Sequence, residues 1–442
     1  MVKKLDVSMR GIVDNIVFSK NEVWAYYTVD TSGYDFLNDS SKTIMLSHMS
    51  QAFANMMANK DERIDIHLII TNTPVNVDHW EEQFLEATSS WDRKPGFNKY
   101  FASQVEYLKA RAFMSRKIYI GVKLINRHEV TFRSFSKQLE AGFSQALDYL
   151  KDEFFTPVGI NDYAISDKEI KSAKSLETDY YNFFSGSDFG SERAEAEELA
   201  LVSKRAFYPS MPTPFLDIPA NSRWGKGDIV RELGSDIVCN RRWTEISQPM
   251  LGTILTGYRA TLTFSHFPNE MTLPGMTPWI YLLQKMSLPF DVYARFTLIP
   301  NKKMKKEVTK QKMDLEDEGA NATEGGHTVS LDLQDDYGKA MELEAYTNKN
   351  EDPWIEGTYR LVITDNDVDN LKQTVEILSN SYSGNGITLN WTVGDQQDLL
   401  LEYMPGDHLR EASFNQTSNV ELIGASGFNI FNKVGDDDMK IS

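Results

Sequence analysis

The sequence predicts an α+β protein built as two mixed α/β subdomains with antiparallel or mixed sheets, and three observations carry that reading. Several segments alternate apolar and polar residues with period two, the mark of strands with one face in a core. Other segments repeat apolar residues at helical spacing and lie between the strands, so the strands are not joined by tight hairpins alone. A long charged stretch with no wide apolar face adds a helical hairpin projecting from the body.

In chain order, Met45, Met49, Phe53 and Met56 form the first helical stripe, read as ordinary core packing. Ile118, Ile120, Val122 and Leu124 alternate with Lys117, Tyr119, Gly121 and Lys123 as a strand. Phe135, Leu139, Phe143, Leu147 and Leu150 predict a helix over 134–151. A charged helix is expected over 190–207, ending before Pro209. The prolines of Tyr208-Pro209-Ser210-Met211-Pro212-Thr213-Pro214 then interrupt regular structure. The expected division is therefore 1–207, a proline-rich connection over 208–235, and 236–442. Within the last part, strands are predicted at 260–266, 290–298 and 387–393 from the same alternation. The helical hairpin is placed at 301–349, where Lys302, Lys303, Lys305, Lys306, Lys310 and Lys312 give way to Asp314, Glu316, Asp317 and Glu318. Its turn is expected at Gly319–Gly326, with a mobile tip.

Composition narrows function. The chain has 442 residues, 41% hydrophobic and 12% aromatic, enough for a packed interior and for more than one ordinary core. A formal net charge of −18 repels polyphosphate and argues against general nucleic-acid binding. Cys239 is the single cysteine, which excludes an intrachain disulfide and a thiolate-rich metal site. Lys3 and Lys4 are not followed by the apolar run of a secretory signal, and no window approaches the roughly 20 apolar residues of a membrane span.

The strings that could carry chemistry are weak. Trp224-Gly225-Lys226-Gly227-Asp228 lacks the upstream glycine and the hydroxyl residue of a phosphate-binding loop. Asp365, Asp367, Asp369 and Glu376 have calcium-loop spacing. However, Asn370 stands where glycine is required, and Val368, Leu371, Val375 and Leu378 already run at helical spacing, so the aspartates are expected to cap a helix. Gly384-Asn385-Gly386 reads as a helix stop and turn. His48, His67, His79, His128, His266, His327 and His408 include no pair at metal-ligating spacing. No catalytic, cofactor-binding or metal-ligating residue is assigned.

Residues 260–438 carry an ordered set of motifs. Leu273-Pro274-Gly275-Met276-Thr277-Pro278-Trp279 leads into Leu288-Pro289-Phe290-Asp291-Val292-Tyr293-Ala294-Arg295-Phe296. The charged helical stretch follows, then Leu399-Leu400-Leu401-Glu402-Tyr403-Met404-Pro405-Gly406, Gly424-Ala425-Ser426-Gly427-Phe428 and Lys433-Val434-Gly435-Asp436. Val23-Trp24-Ala25-Tyr26-Tyr27 and Tyr34-Asp35-Phe36-Leu37 add a looser match near the start. In this order the motifs resemble the amino-terminal region of the conjugation-type type IV secretion ATPase family (VirB-four-like, of Gram-positive conjugative elements). In that family a RecA-like ATPase core follows the closing segment, whereas this sequence stops at Ser442. The resemblance therefore implies the non-motor module of a DNA-transfer ATPase, one that docks on inner-membrane channel proteins and assembles as a homo-oligomer through the full-length ATPase. It implies a cytoplasmic location, peripheral at the membrane through partners, without direct nucleic-acid contact. ATP and magnesium are expected only in the motor, so no activity is expected of the chain alone. Trp279 and Tyr281, after the Pro274-Gly275 break, are the candidate partner-contact residues, with a buried core position for Trp279 the equal alternative. A free-standing truncated scaffold of the conjugation machinery, and an unrelated enzyme with a non-local site, remain the alternatives.

Overall fold

Period-two patterning becomes one continuous sheet in a computed structural model that describes residues 7–30, 34, 37–57, 62–74, 81, 84–86, 88–89, 96–110, 114–126, 165–186, 189–214, 216, 223–233, 236–250, 252–268, 277–286, 290–324 and 330–430. The protein is α+β. In chain order the strands are β1 (Met9–Val13), β2 (Ile16–Ser19), β3 (Glu22–Thr28), β4 (Ile64–Pro74), β5 (Met114–Asn126), β6 (Glu192–Arg193) and β7 (Arg223–Gly225). They continue with β8 (Asp236–Cys239), β9 (Thr244–Met250), β10 (Thr253–His266), β11 (Phe290–Ile299), β12 (Trp354–Asp365), β13 (Thr388–Asn390) and β14 (Gln416–Asn419). The helices are α1 (Asp39–Met57), α2 (Phe97–Ala110), α3 (Asp167–Ser185), α4 (Ala196–Arg205), α5 (Lys226–Leu233), α6 (Tyr281–Lys285), α7 (Asn301–Glu324), α8 (Leu331–Lys349), α9 (Val368–Ser383), α10 (Gln396–Glu402) and α11 (Glu421–Gly424).

The sheet runs β7-β1-β2-β3-β5-β4-β11-β12-β10-β9-β8, with the short β6, β13 and β14 attached beside it. Two equal series are visible in that order. The amino-terminal unit reads β1-β2-β3-β5-β4 and the carboxy-terminal unit β8-β9-β10-β12-β11, and they meet at their fourth strands. β4 and β11 pair antiparallel from Ile64↔Leu298 to Ile70↔Val292, so the middle of the joint is His67↔Arg295. Each unit also places its helical insertion between its fourth and fifth strands, α2 in the first and α7–α8 in the second. The expected boundary near residue 210 therefore does not interrupt the sheet.

Both faces are covered. On the first, Ile66, Leu68, Ile70, Ile118, Ile120, Val292, Ala294, Phe296, Leu361 and Ile363 share one core with α1, α9 and α11. On the second, Tyr26, Ile69, Tyr119, Tyr293 and Val362 pack with Leu199 of α4, Phe207, Leu400 and Tyr403. A strand covered on two sides buries its polar set as well, and in β11 Asp291 and Arg295 are buried between Phe290, Val292 and Phe296. Each fully buried Leu, Ile or Phe contributes roughly 1.5–3 kcal/mol relative to exposure.

Several expectations need adjusting. The strand expected over 387–393 contracts to β13, because pairing with β10 ends at Asn390 and Val393 is exposed. The helix expected over 190–207 starts only at Ala196, since Glu192 and Arg193 pair with Thr28 and Tyr27. In the described part of the proline-rich connection Tyr208, Met211 and Thr213 are buried, and β7 and α5 lie inside its span. The helix expected over 134–151 and the hairpin tip at Gly325-Gly326 lie outside the described residues.

Candidate interaction arm and buried strap

The predicted helical hairpin is present as α7 and α8, with α7 continuing through Gly319–Glu324, where the turn was expected. Lys, Glu, Gln, Met and Ala dominate α7, all good helix formers, and Ser330 starts α8 by accepting a hydrogen bond from Leu333 N at 3.2 Å. Its root is a small core of Ile299, Met304, Val308 and Trp354, with Leu343 and Tyr346 packed against it. Asn301 Nδ2 ties the two helices by donating to Thr347 O at 3.1 Å. Beyond Val308 polar contacts take over. Lys312 Nζ pairs with Glu344 Oε2 at 2.8 Å, which raises the Lys312 pKa, and Tyr337 donates to Glu316 Oε1 at 2.7 Å. The 24 residues of α7 extend about 36 Å, and beyond the root the arm exposes Met313 (57%) of α7 and Met341 (48%) and Leu331 (78%) of α8.

Charge is segregated along this arm. Lys303, Lys305, Lys306 and Lys310 stand near the root, while Asp314, Glu316, Asp317, Glu318, Asp335 and Asp336 occupy the outer part. From Met313 to Gly338 the sequence holds no lysine or arginine. That asymmetry is a longitudinal dipole far stronger than a mixed, solvated face requires.

The second concentrated arrangement is a strap, residues 396–411, that crosses the second face of the sheet. α10 is pinned to β10 by Gln396, whose side chain accepts from Thr261 N at 2.8 Å and donates to Thr261 O at 3.0 Å. Tyr403 donates to Thr71 Oγ1 at 2.7 Å, and Arg295 Nη2 donates to Glu402 O at 2.8 Å. Gly406 N donates to Tyr26 Oη at 2.6 Å, and Ser19 donates to Gly406 O. The strap therefore grips β2, β3 and β4 of one unit and β10 and β11 of the other. Glu402, fully buried, lies 3.6 Å from Arg360 Nε and accepts from Arg410 N and Glu411 N at 2.9 and 3.0 Å. Its Oε2 is thus taken up in holding its own loop, while Oε1 faces Arg360 at ion-pair distance without a hydrogen bond.

The electrostatics agree with a structural clamp. Burial pushes the hydroxyl pKa values of Tyr26, Tyr293 and Tyr403 up, and desolvation lowers that of Arg259. His67 is held well below its ordinary pKa, first by desolvation and then by the neighbouring Arg295, and is neutral. Tyr26 Oη and His67 Nδ1 share a hydrogen bond at 2.9 Å.

Of the two readings open for the candidate partner-contact residues, the structure takes the buried one. Trp279 and Tyr281 are each 1% exposed. Trp279 Nε1 donates to Leu422 O at 3.1 Å, its carbonyl accepts from Tyr382 Oη at 2.6 Å, and Tyr281 packs edge-on against Tyr34. Both serve the chain's own core, because the aromatic rings of Phe264, Phe267 and Tyr359 surround Trp279. The Trp224-Gly225-Lys226 string becomes β7 and the first turn of α5, where the Asp228 carboxylate takes the Gly225 N–H and Lys226 Nζ donates to Val7 O. Asp367 caps α9, accepting from Asp369 N and Asn370 N at 2.8 and 3.0 Å. Among the described residues no group of three or more His, Cys, Asp and Glu is placed to hold a metal ion. His79, His128 and His327, and Lys433-Val434-Gly435-Asp436, lie outside them. Sequence reasoning missed the strap's polar partners, whose only signal was Arg259, Arg295 and Arg360 standing within strand patterns. A scan against protein-family models finds no match to this chain, and a search of curated proteins finds none.

Proposed function

We propose that this chain is the amino-terminal docking and assembly module of a type IV secretion ATPase, contacting channel components and neighbouring subunits at the cytoplasmic face of the membrane. The observation that carries the reading is the α7–α8 arm, an exposed, strongly charged projection rooted in a sheet whose two faces are covered by the chain itself. A projection with little core of its own is maintained for what it touches. The motif order of residues 260–438 supports the family reading. The net charge of −18 favours protein over DNA as the partner, and among the described residues no helix is long and apolar enough to cross a membrane, so contact with channel proteins would bring the chain there. In this reading nucleotide and magnesium belong to a motor core and not to these residues.

The test is retention of the full chain on immobilised membrane subunits of a conjugation channel, beside a variant whose residues 311–341 are replaced by a short Gly–Ser turn. Retention of the intact chain and its loss on shortening the arm are expected, with no DNA binding at low salt. Tight DNA binding without retention of any channel subunit would sink the proposal.

A further inference from the structure

We infer that the arm pairs with the arm of a second copy of this chain, side by side and antiparallel, so that the acidic outer part of each lies on the lysines at the root of the other. This deepens the proposed function, since it rests on the arm being a contact element and names its partner.

Three observations converge. The first is complementarity within one element. Lys303, Lys305, Lys306 and Lys310 near the root and Asp314, Asp317, Glu318 and Asp335 farther out have no ion-pair partner among the described residues. Opposite charges at two ends of one rod are satisfied together when a second identical rod runs the other way, which is the self-complementary arrangement a two-fold contact requires. A parallel arrangement would set lysines on lysines and carboxylates on carboxylates.

The second observation is where the crossing would fall. The middle between the lysine cluster and the carboxylate cluster of α7 is at residues 311–313. The Lys312–Glu344 and Glu316–Tyr337 contacts set the stagger of the two helices and bring Met341 level with Met313. These two methionines are exposed at 57% and 48% and stand at the crossing. An exposed thioether side chain is an adaptable apolar contact, and two copies would bring four together at the axis.

The third is the thinness of the arm's own interior. Past the root the apolar interior narrows to small contacts, a buried Ala340 and Leu333 over Gly319, beside the polar pairs Lys312–Glu344 and Tyr337–Glu316. A second arm alongside supplies the lateral support that an isolated two-helix projection lacks.

The experiment is sedimentation velocity on the full chain at low and high salt with two charge-reversal variants. One carries Lys303→Glu, Lys306→Glu and Lys310→Glu, and the other Asp314→Lys, Asp317→Lys and Glu318→Lys. All six positions are exposed or half-exposed and make none of the arm's internal contacts, so both variants should fold, which melting curves verify. The wild-type chain should self-associate at low salt and dissociate as salt is raised. Each variant alone should associate at least about tenfold more weakly. Mixed, the two variants should associate again, because the three introduced glutamates face the three introduced lysines at one end while unaltered carboxylates lie on unaltered lysines at the other. A wild-type chain that stays monomeric at low salt overturns the inference, as does association unaffected by either reversal, or variants that fail to recombine. Retention on channel subunits is measured on the same variants. Retention without self-association removes this inference and leaves the docking reading standing, while self-association without retention does the reverse.

Discussion

The two five-strand units share a strand order and differ in how their covering helices are held. α3 packs on β3 and β5, and α9 packs on the corresponding β10 and β12. α9 does this with Leu371, Val375, Leu378 and Tyr382, an ordinary apolar stripe. α3 instead turns Glu169 and Glu177 inward. Glu169 takes Arg10 Nη1 at 2.9 Å, with both side chains 5% exposed, and Glu177 takes Arg193 through two bonds of 2.9 Å plus Asn15 and Tyr27. Strand order is set by backbone pairing and therefore survives when the side-chain means of attaching a helix change. A buried ion pair fixes a helix in one position more than it stabilises it, because desolvation offsets most of the attraction.

The largest expected effect tests that statement. Arg10→Met leaves the Glu169 carboxylate buried without its cation and should cost about 3–5 kcal/mol in urea unfolding. The double variant Arg10→Met/Glu169→Leu should recover a large part of that loss. A double variant as unstable as the sum of the two single changes would mean that the amino-terminal unit depends on the pair for stability itself. In the carboxy-terminal unit Leu378→Ala should follow cavity cost alone, about 2–5 kcal/mol, with no conservative rescue of the same kind.

The strap that joins the units offers a smaller break. Gly406 has φ +74° and a Cβ there would collide with Val17 of β2, whereas Gly394 has φ +104° and open space around it. Gly394→Ala should therefore cost only the left-handed backbone penalty, about 1–2 kcal/mol. Gly406→Ala should cost about 1–3 kcal/mol beyond that, from the enforced shift of strap against strand. Equal losses in thermal unfolding would show that the strap is not seated on the amino-terminal unit.

At the centre of the joint, His67 and Arg295 make pH a probe. The folded-state pKa of His67 lies well below its ordinary value, so the unfolded chain binds the proton more readily. Stability from this group is present above the unfolded value of about 6.5 and falls as pH drops below it, by up to about 1.4 kcal/mol per pH unit until the folded pKa is reached. Unfolding free energies between pH 7 and pH 5 should show this slope, and His67→Gln should flatten it. Asp407, whose pKa is depressed by His408 and Arg410 against the opposing effect of burial, adds loss only at more acid pH, below its unfolded carboxylate range. The smallest effect belongs to the arm, where Lys312→Met should change stability by less than about 1 kcal/mol, since its pair with Glu344 is partly exposed.

Local pattern alone was enough to read β5, β10, β11, the stripe of α1, the Asp367 cap and the arm. Each of these satisfies a neighbour-level rule: alternation, helical spacing, capping of free amides, or helix-forming composition in an element with little core. Trp279 was legible as an aromatic anchor, but the choice between partner contact and core burial was not, because the rings that enclose it come from Phe264 of β10, Phe267 and Tyr359 of β12. The inward carboxylates of α3 were illegible for the same reason. Glu169 and Glu177 have the chemistry of surface residues until Arg10 and Arg193, distant or on another element, arrive to neutralise them. The meeting of the two units at His67↔Arg295, and the strap that grips both, were decided only by tertiary structure. Hydrogen-bond pairing between strands more than 200 residues apart leaves no local periodicity, and a polar side chain shows its burial only once its partners are assembled around it.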